Sequence, residues 1–399
     1  MEENESLKNR VKEVFSKLDY KNIDITLESG SKRGDGFMGQ MIRAIISGEK
    51  NGTKEEVDMI VKCAPNEHKI RKYMGTTPLF NREIFYYTEI VPVYEKLQET
   101  KNISIEMKYI FPKCIATKSE FCEEFIMLEN LKSIGYTMCS KNVLDYEHSE
   151  IAFRTLGKLH ALSYILEEEN KTMFVDLCRQ LGDTYFTSQN DYDSSGMYGY
   201  GKKAMIKCMS CIEDKDIKKI LNDTLGDNPV DKLKKLYESG NKKVISHGDY
   251  WINNMLFKYE DGKPTKVIPF DFQNCRYMSS ANDFFHLFPF SSSTDVRRKY
   301  FWKLIRVYYK SLSDYLAACG FEVEKFCTFQ ELEEEIYQQA IFGLVVTIAA
   351  LPFRTSEQPW ELHEVYAGND PTDMYVINEE YKTHLYDMVT DYINFGFLK

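Results

Sequence analysis

The chain has 399 residues, of which 43% are apolar and 28% are charged, so it can bury a large core and divide into two lobes. Its formal net charge of −10 argues against broad binding to nucleic acids or anionic membranes. The polar N-terminus, MEENESLKNR, has no apolar stretch typical of a signal peptide. The most apolar run, AIFGLVVTIAALPF at 340–353, is shorter than the roughly 20 residues needed to cross a bilayer. We therefore expect a cytoplasmic protein with this run as a buried helix.

The first third of the chain is predicted to be rich in β-structure. A short amphipathic helix over 7–19 precedes strands at QMIRAIIS (40–47) and EVDMIVKC (56–63), which are joined by a turn at 49–52. A helical pattern over 76–98 is interrupted by Pro92, and two more strands follow at about 107–117 and 121–129. Beyond about residue 130 the pattern is mainly helical, starting with 146–168. The exception is a hairpin over 243–275 with its turn at 260–263.

This division predicts an α+β, two-lobed fold. Residues 1–130 form a small β-rich N-lobe and residues 131–399 a larger, mainly helical C-lobe, with a cleft between them. We find no internal repeat that would indicate another architecture.

The stretch GDGFMG at 34–39 matches the G-x-G-x-x-G pattern through Gly34, Gly36 and Gly39. A dinucleotide-binding fingerprint would open a helix, whereas a kinase-type glycine loop joins two strands. Because a strand pattern follows here, the dinucleotide interpretation fails. For this stretch considered alone, an ordinary surface turn remains an alternative interpretation.

Lys62 ends the second predicted strand, and Glu83 lies on the following helix. In a kinase-type site such a lysine holds the nucleotide phosphates and such a glutamate orients it. A lysine and a glutamate in isolation are equally typical of a solvated strand end and a helix surface.

The most informative stretch is ISHGDYWINNMLF at 245–257. Asp249 and Asn254 are five residues apart, and His247 precedes the aspartate by two. A tight hairpin then brings Asp271, in IPFDFQ, back beside Asn254. Phosphoryl transfer needs a carboxylate to accept the proton of the substrate hydroxyl, and an amide and a second carboxylate to hold Mg²⁺. The spacing therefore predicts that Asp249 is the base and that Asn254 and Asp271 are metal ligands. His247 is predicted to be a residue of the catalytic loop that braces the loop.

Elements that the sequence lacks argue against two other enzyme classes, the binuclear metallophosphoesterases and the protein kinases. A binuclear metallophosphoesterase would carry a G-N-H-[DE] element, which the sequence lacks. No A-P-E follows Asp271, and only about ten residues separate it from the helix DFFHLF, so a peptide platform of the protein-kinase type has little room. The acceptor is predicted to be a small molecule. Asp283, at the start of that helix, either caps it or braces the loop from behind.

These residues resemble the ecdysteroid-kinase-like family of insects, within the choline/aminoglycoside kinase-like group of the protein-kinase-like fold. The resemblance rests on HGDYWINN, IPFDFQ and ANDFFHLF, with IVKCAP (60–65), FNREIFYY, FIMLENL (125–131) and LGKLHALS (156–163) in support. It implies that Asp249 is the catalytic base, that Asn254 and Asp271 hold Mg²⁺, and that Lys62 with Glu83 positions ATP. It also implies that backbone from Met127 through Glu129 to Asn130 meets the adenine.

The resemblance further implies transfer of the ATP γ-phosphate to a hydroxyl of an ecdysteroid or another lipophilic alcohol, including xenobiotics. Tyr250 and Trp251 are candidates to line the acceptor pocket, and loops 183–201 and 355–373 are candidates to border it. Two alternatives remain open: a choline, ethanolamine or aminoglycoside-type acceptor, and a non-catalytic binding protein with the same fold. No obligate protein partner is indicated.

Overall fold

The structure is a computed structural model that describes residues 2–30, 39–68, 71, 75–182, 203, 205–207, 209–226, 229–355 and 377–398. Gly34, Gly36, the whole of loop 183–201 and residues 356–373 of the second loop lie outside the described residues.

Antiparallel pairing builds three sheets within the described ranges. The largest has five strands in the order β1-β2-β3-β5-β4, the second pairs β10 with β7, and the third has the order β6-β8-β9. The strands are β1 (Lys21–Ser29), β2 (Gln40–Lys50), β3 (Thr53–Cys63), β4 (Cys114–Lys118), β5 (Phe125–Glu129), β6 (Tyr136–Met138), β7 (Lys243–Ser246), β8 (Met255–Glu260), β9 (Lys263–Pro269) and β10 (Arg276–Ser279).

Two hairpin turns are specified by local chemistry. Asn51 and Gly52 join β2 to β3 with φ values of 51° and 80°. Asp261 and Gly262 join β8 to β9 with φ values of 51° and 76°. Two consecutive positive φ angles define the type I′ turn, which matches the twist of a hairpin and selects Asn-Gly or Asp-Gly. Both predicted turns are confirmed.

Most of the helices in the described ranges pack around a shared apolar core. The helices are α1 (Glu2–Lys17), α2 (Thr76–Phe85), α3 (Val91–Thr100), α4 (Tyr146–Glu169), α5 (Lys171–Leu181), α6 (Lys215–Leu225), α7 (Pro229–Glu238), α8 (Ser280–Ser291), α9 (Thr294–Ala318), α10 (Phe329–Thr355) and α11 (Glu379–Asn394). The apolar run at 340–353 lies within α10, as predicted, and contributes buried residues such as Phe342 and Ile348. None of the helices in the described ranges combines the length and apolarity needed to cross a membrane.

The two faces of the five-stranded sheet bury different partners. Leu7, Val11 and Phe15 recur every four residues on α1 and pack against one face, which we call the outer face. Val61 and Met127 contribute to this outer core. Neighbouring strand positions point the other way, so residues such as Ile126 and Leu128 join the large core shared with the helical part. The opposite, inner face therefore meets the C-terminal part.

The helical pattern over 76–98 continues past Pro92 instead of ending there. A π-helical turn, Tyr86–Ile90, separates α2 from α3, and Pro92 lies in the first turn of α3. The Val91 N–H bonds back to the Tyr86 carbonyl across the π turn, so Pro92, which has no N–H, lies where the hydrogen-bond pattern of the helix changes. The interruption predicted from sequence is thus a change of helix type within one continuous rod.

The predicted α+β class, with a small antiparallel sheet followed by a larger helical part, is confirmed. Glu129 ends β5, and a short 3₁₀ helix, Leu131–Ile134, starts after Asn130. The predicted division into domains at residue 130 falls in this connection and stays a prediction.

We expect Gly157→Ala to destabilise the protein although alanine is the better helix former by about 1 kcal/mol. A Cβ at Gly157 on α4 would lie 2.7 Å from the Tyr308 carbonyl oxygen and 3.0 Å from the Leu312 amide nitrogen of α9. Separating these helices should lower the free energy of unfolding by about 1–3 kcal/mol. Urea unfolding followed by circular dichroism measures this effect. Arg154→Ala on the exposed side of α4 is the control, and a Gly157→Ala protein as stable as that control contradicts the close packing.

Candidate active site

Lys62 lies near the end of β3 on the inner face of the sheet and connects three segments of the chain. Its Nζ is 2.6 Å from Glu83 Oε2 on α2, 2.8 Å from Asp271 Oδ1 and 3.2 Å from Gln273 Oε1. Only 6% of the residue is exposed. Burial lowers the pKa of Lys62, but the charges of Asp271 and Glu83 outweigh burial and raise it. The lysine is therefore a permanently charged centre between sheet, helix and hairpin.

The hairpin brings Asp271 back to the start of β8, as the spacing predicts. Met255 pairs with Pro269 across the β8–β9 ladder, and the Phe270 amide donates to the Asn254 carbonyl at 3.0 Å. Asp271 itself has a φ of 67°, a left-handed conformation that is uncommon for a residue with a side chain. A strained backbone at a charged residue is typical of functional sites, where surrounding contacts hold the conformation.

Asp249 is held by amide groups from two sides. Asn254 Nδ2 donates to the backbone oxygen of Asp249 at 3.0 Å and to its carboxylate Oδ2 at 3.1 Å. The side chain of Asn274 also hydrogen-bonds the Asp249 carboxylate. Burial and the negative charge of Asp271 raise the pKa of Asp249 to about 7, and the two amides and Lys62 oppose that rise. A carboxyl group with a pKa near neutrality can accept and release a proton at physiological pH.

Gly248 is a steric requirement of the loop. Its φ is 79°, and a Cβ at this position would lie 1.9 Å from the carbonyl oxygen of Asn274. The loop and the segment after Asp271 therefore pass each other at a distance that only glycine permits.

Asp283, on the first turn of α8, braces this loop from behind. Its carboxylate accepts hydrogen bonds from the backbone amides of His247 and Gly248, each at 2.9 Å, and lies 3.1 Å from His160 Nε2. A carboxylate only accepts, so His160 donates through Nε2, and its Nδ1 accepts from the Tyr308 hydroxyl at 2.9 Å. Burial alone would raise the pKa of Asp283, but the His160 hydrogen bond and nearby imidazoles hold it below its usual range. Ser279 supplies the cap of α8, so of the two predicted roles for Asp283 the brace is the one observed.

His247 faces the interior of the loop. Its Nε2 lies 3.0 Å from the Phe270 carbonyl oxygen, and its Nδ1 lies 3.3 Å from the Asp249 amide nitrogen. The carbonyl accepts and the amide donates, so Nε2 carries the proton and Nδ1 accepts. Burial lowers the pKa of His247 and favours this neutral form. Both ring nitrogens hold backbone groups, which fits a positioning residue.

Two residues of the site were missed by the sequence analysis. Gln273 accepts from Lys62, and Asn274 binds Asp249 and supplies the carbonyl that packs against Gly248. Both directly follow the Asp271-Phe272 pair in the string DFQN, which is the signal that would have identified them.

Of the three predicted loop glycines, only Gly39 is described. It is buried immediately before β2, and a Cβ there would lie 2.7 Å from the Cys63 carbonyl oxygen and 3.1 Å from the Phe80 ring. Glycine is thus required for close packing against the end of the strand that carries Lys62.

The structure places Met127, which was predicted to meet the adenine through its backbone, inside β5. Lys62 pairs with Ile126, so Met127, one position further along β5, points to the opposite, outer face. Its backbone also lies in an interior strand, with Val61 on one side and Ala116 on the other. The strand ends at Glu129, whose Oε1 accepts from the Lys113 amide at 2.8 Å.

The two candidate pocket residues after Asp249 differ sharply. Tyr250 is fully buried and donates its hydroxyl to the Ala152 carbonyl on α4 at 2.8 Å, so it belongs to the core and does not line an open pocket. Trp251 is only partly buried, and its ring centroid lies 4.8 Å from that of Phe290 on α8. Its indole N–H is buried and has no hydrogen-bond partner among the described residues.

A charged lysine held by a helix glutamate, an Asp–Asn loop and a second aspartate on a returning hairpin together define a kinase-like phosphotransferase. The model of the ecdysteroid kinase-like family matches residues 33–321. The chain belongs to this family, which confirms the resemblance read from its motifs and supports small-molecule kinase activity.

Solved structures similar to the chain include the GDP complex of wild-type aminoglycoside 2'-phosphotransferase-IIIa. That structure shares 12% identity and a TM-score of 0.41 over 97% of this chain and 98% of its own. The aminoglycoside-3'-phosphotransferase of type VIII has 12% identity and a TM-score of 0.35, over 84% of this chain and 98% of its own. A choline/ethanolamine kinase family protein from Mesorhizobium loti has 10% identity and a TM-score of 0.34, over 90% of this chain and 92% of its own. No curated protein matches the chain in sequence.

We expect Asp283→Asn to destabilise the protein while preserving side-chain size. An amide offers one acceptor oxygen where the carboxylate offers two, so a buried backbone N–H or the His160 donor loses its partner. The expected loss is about 1–3 kcal/mol in the free energy of unfolding, measured by urea titration. Asp295→Asn, at an exposed position on the first turn of α9, should leave stability within about 0.5 kcal/mol of wild type. Equal stability of the two variants is the result that contradicts the brace.

Proposed function

We propose that the protein transfers the γ-phosphate of ATP to a hydroxyl group of a lipophilic alcohol of the ecdysteroid type. The observation that carries this proposal is the simultaneous contact of the Lys62 ammonium with Glu83 and Asp271. This contact connects Lys62, the proposed phosphate-binding residue on the sheet, to the hairpin that follows the proposed base. Phosphoryl transfer is catalysed mainly by positioning and charge stabilisation, and this contact supports both.

In this proposal Lys62 binds the nucleotide phosphates, and Glu83 orients the Lys62 ammonium group. Asp271 binds a divalent cation. The adenine meets the chain where β5 ends, at Glu129 and Asn130. Asn130 is well fixed there, since its amide nitrogen Nδ2 donates to Asp58 at 2.9 Å and its own Oδ1 accepts from the Lys132 amide.

The site residues fit a magnesium ion. Asn254 turns its NH₂ group towards Asp249, and no hydrogen bond among the described residues uses its Oδ1. That oxygen and the Asp271 carboxylate are the hard oxygen donors that Mg²⁺ prefers. Three carboxyl groups (Glu83, Asp249 and Asp271) share the ammonium of Lys62, and burial together with the charge of Asp271 raises the pKa of Glu83 and of Asp249 to about 7. When bound, such a cation neutralises phosphate charge and favours the ionised form of Asp249.

Asp249 is the proposed base that accepts the proton of the acceptor hydroxyl. Asn254 and Asn274 fix its carboxylate, and the bonds from Asp283 to the backbone hold the loop in place. His247 acts on the reaction through the backbone of Asp249.

The side chain of Trp251 supports a lipophilic acceptor. The Trp251 backbone N–H donates to the Asp249 carbonyl at 3.1 Å, so the residue lies two positions after the base in the same tight turn. The Trp251–Phe290 ring pair offers an apolar wall, and an oxygen of the acceptor would satisfy the unpartnered indole N–H.

We expect Asp249→Asn to lower kcat by about 10²–10⁴-fold and to leave ATP affinity close to the wild-type value, because a base acts on the chemical step. ADP release by a coupled assay and nucleotide binding by calorimetry measure the two effects. Asp261→Asn, in the turn of the adjacent hairpin, is the matched control and should behave as wild type. Near-normal turnover in Asp249→Asn would contradict the assignment of Asp249 as the base.

We expect wild-type protein with ATP and Mg²⁺ to release ADP with ecdysteroids or related lipophilic alcohols. Trp251→Ala should raise KM for such acceptors more than it lowers kcat, since the indole contributes binding. A parallel panel contains choline, ethanolamine and aminoglycosides. Activity confined to these amines would reject the lipophilic acceptor, and steroid binding without ADP release would reject the kinase.

A further inference from the structure

Arg82 connects the helix that carries Glu83 to a helix of the helical part. It lies on α2, and only 4% of the residue is exposed. Its Nη2 atom donates to the carbonyl oxygen of Leu181 at 2.6 Å and to that of Gly182 at 2.9 Å. Leu181 is the last residue of α5, and Gly182 follows it as the C-cap. One buried side chain therefore joins two helices whose contacting residues, Arg82 and Leu181, are 99 positions apart.

The two carbonyl groups at the end of α5 are suitable partners for a guanidinium. The last carbonyls of a helix have no intrahelical N–H to accept from, and the aligned peptide dipoles place partial negative charge there. The guanidinium is planar and permanently charged, and each Nη atom carries two hydrogens, so Nη2 can satisfy both carbonyls at once. The contact therefore depends on hydrogen-bond geometry and charge as well as on packing.

Arg82 and Glu83 hold α2 in two directions. Neighbouring residues of an α-helix are separated by about 100° around its axis, so their side chains leave it towards different elements. Glu83 reaches Lys62 on β3 at 2.6 Å, whereas Arg82 reaches α5. Immediately after α2, the Tyr86 ring stacks on Phe272 with centroids 4.0 Å apart and planes 8° from parallel. The position of the Glu83 carboxylate is thus set from the sheet, from the segment after the hairpin and from α5.

A second arginine fixes the start of α2 to the sheet. Arg71 forms a buried ion pair with Glu124, which directly precedes β5. The Thr77 hydroxyl on the first turn of α2 donates to the same carboxylate at 3.1 Å. This cluster stays within the N-terminal part of the chain, whereas the Arg82 contact crosses from α2 to the helical part.

We propose that Arg82 is a positioning residue of the phosphotransfer site, which docks α2 on α5 and thereby keeps Glu83 within reach of Lys62. The proposal rests on the proposed function, because it takes Lys62 as the residue that binds nucleotide phosphates. When α2 is released from α5, Glu83 moves away and Lys62 keeps Asp271 as its carboxylate partner. The ammonium then neutralises the group that is proposed to bind the cation, so the nucleotide and its cation are held less tightly.

The test measures binding of ATP in the presence of Mg²⁺ by calorimetry, so it does not depend on the identity of the acceptor. Arg82→Met, which keeps a long unbranched side chain but has no donor, should weaken ATP binding about tenfold. Arg82→Lys, which retains a positive charge near the end of α5, should recover part of this loss.

Arg297→Met is the matched control and should bind ATP as the wild type does. Arg297 on α9 is 1% exposed, and its Nη1 donates at 2.8 Å to the carbonyl oxygen of Ser292, the C-cap of α8. The control therefore removes an equally buried arginine from an equivalent helix end, but within the helical part. Thermal unfolding checks that each variant is folded.

A double-mutant cycle with Glu83 separates positioning from a general structural effect. In Glu83→Gln protein the carboxylate that Arg82 positions is absent, so adding Arg82→Met should change ATP affinity less than about twofold. Amide hydrogen exchange gives a second readout that needs no nucleotide. Residues 76–85 should exchange faster in Arg82→Met than in wild type or Arg297→Met, because α2 has lost its contact with α5.

An effect of Arg82→Met on ATP affinity that requires Glu83 supports the positioning role. Unchanged ATP affinity in Arg82→Met, or an equal loss of affinity with and without Glu83, overturns it. Wild-type protein that binds no ATP rejects the proposed function and the positioning role together, whereas a negative result in the variants alone leaves the proposed function in place.

Discussion

The contact of one lysine with two carboxylates determines how the rest of the structure is arranged. Lys62 can meet Glu83 only if α2 packs beneath the sheet, and can meet Asp271 only if the hairpin from the helical part reaches the sheet. Ion pairs of this kind contribute little net stability, because desolvation offsets the attraction, whereas loss of one partner costs about 3–5 kcal/mol. These ion pairs are therefore better explained by a role in binding a charged ligand than by a contribution to the stability of the fold.

The loop that carries Asp249 is held mainly through contacts to its own backbone. Gly248 permits an approach to Asn274 that any Cβ would block, and Asp283 accepts from two successive amides of the loop. The His160–Tyr308 contact extends this support to α4 and α9. The position of the proposed base is therefore set by buried groups on two other helices, so substitution of these groups should displace it.

Sequence periodicity predicted most of the elements because it reports directly on burial, although the strand predicted at about 107–117 is confined to Cys114–Lys118. Both type I′ turns, the buried helix at 340–353 and the return of Asp271 to Asn254 follow from local pattern and chain length. Residues whose role depends on distant packing were harder to assign. Tyr250 adjoins the base in sequence but points to Ala152, and Met127 lies on the outer face because strand positions alternate. Gln273 and Asn274 directly follow Asp271-Phe272, but their partners, Lys62 and Asp249, lie far away in sequence, so the pattern alone did not assign them.

The separation of the site residues along the chain also bears on folding. Lys62 and Asp271 are 209 positions apart, whereas Asp249 and Asn254 are only five apart. Contacts between distant residues form late, since closing a long loop costs entropy before the contact repays it. The Asp–Asn loop can therefore take shape locally, but the charge cluster around Lys62 exists only in the completed chain. A ligand that contacts both is therefore expected to bind the folded chain and to stabilise it by mass action.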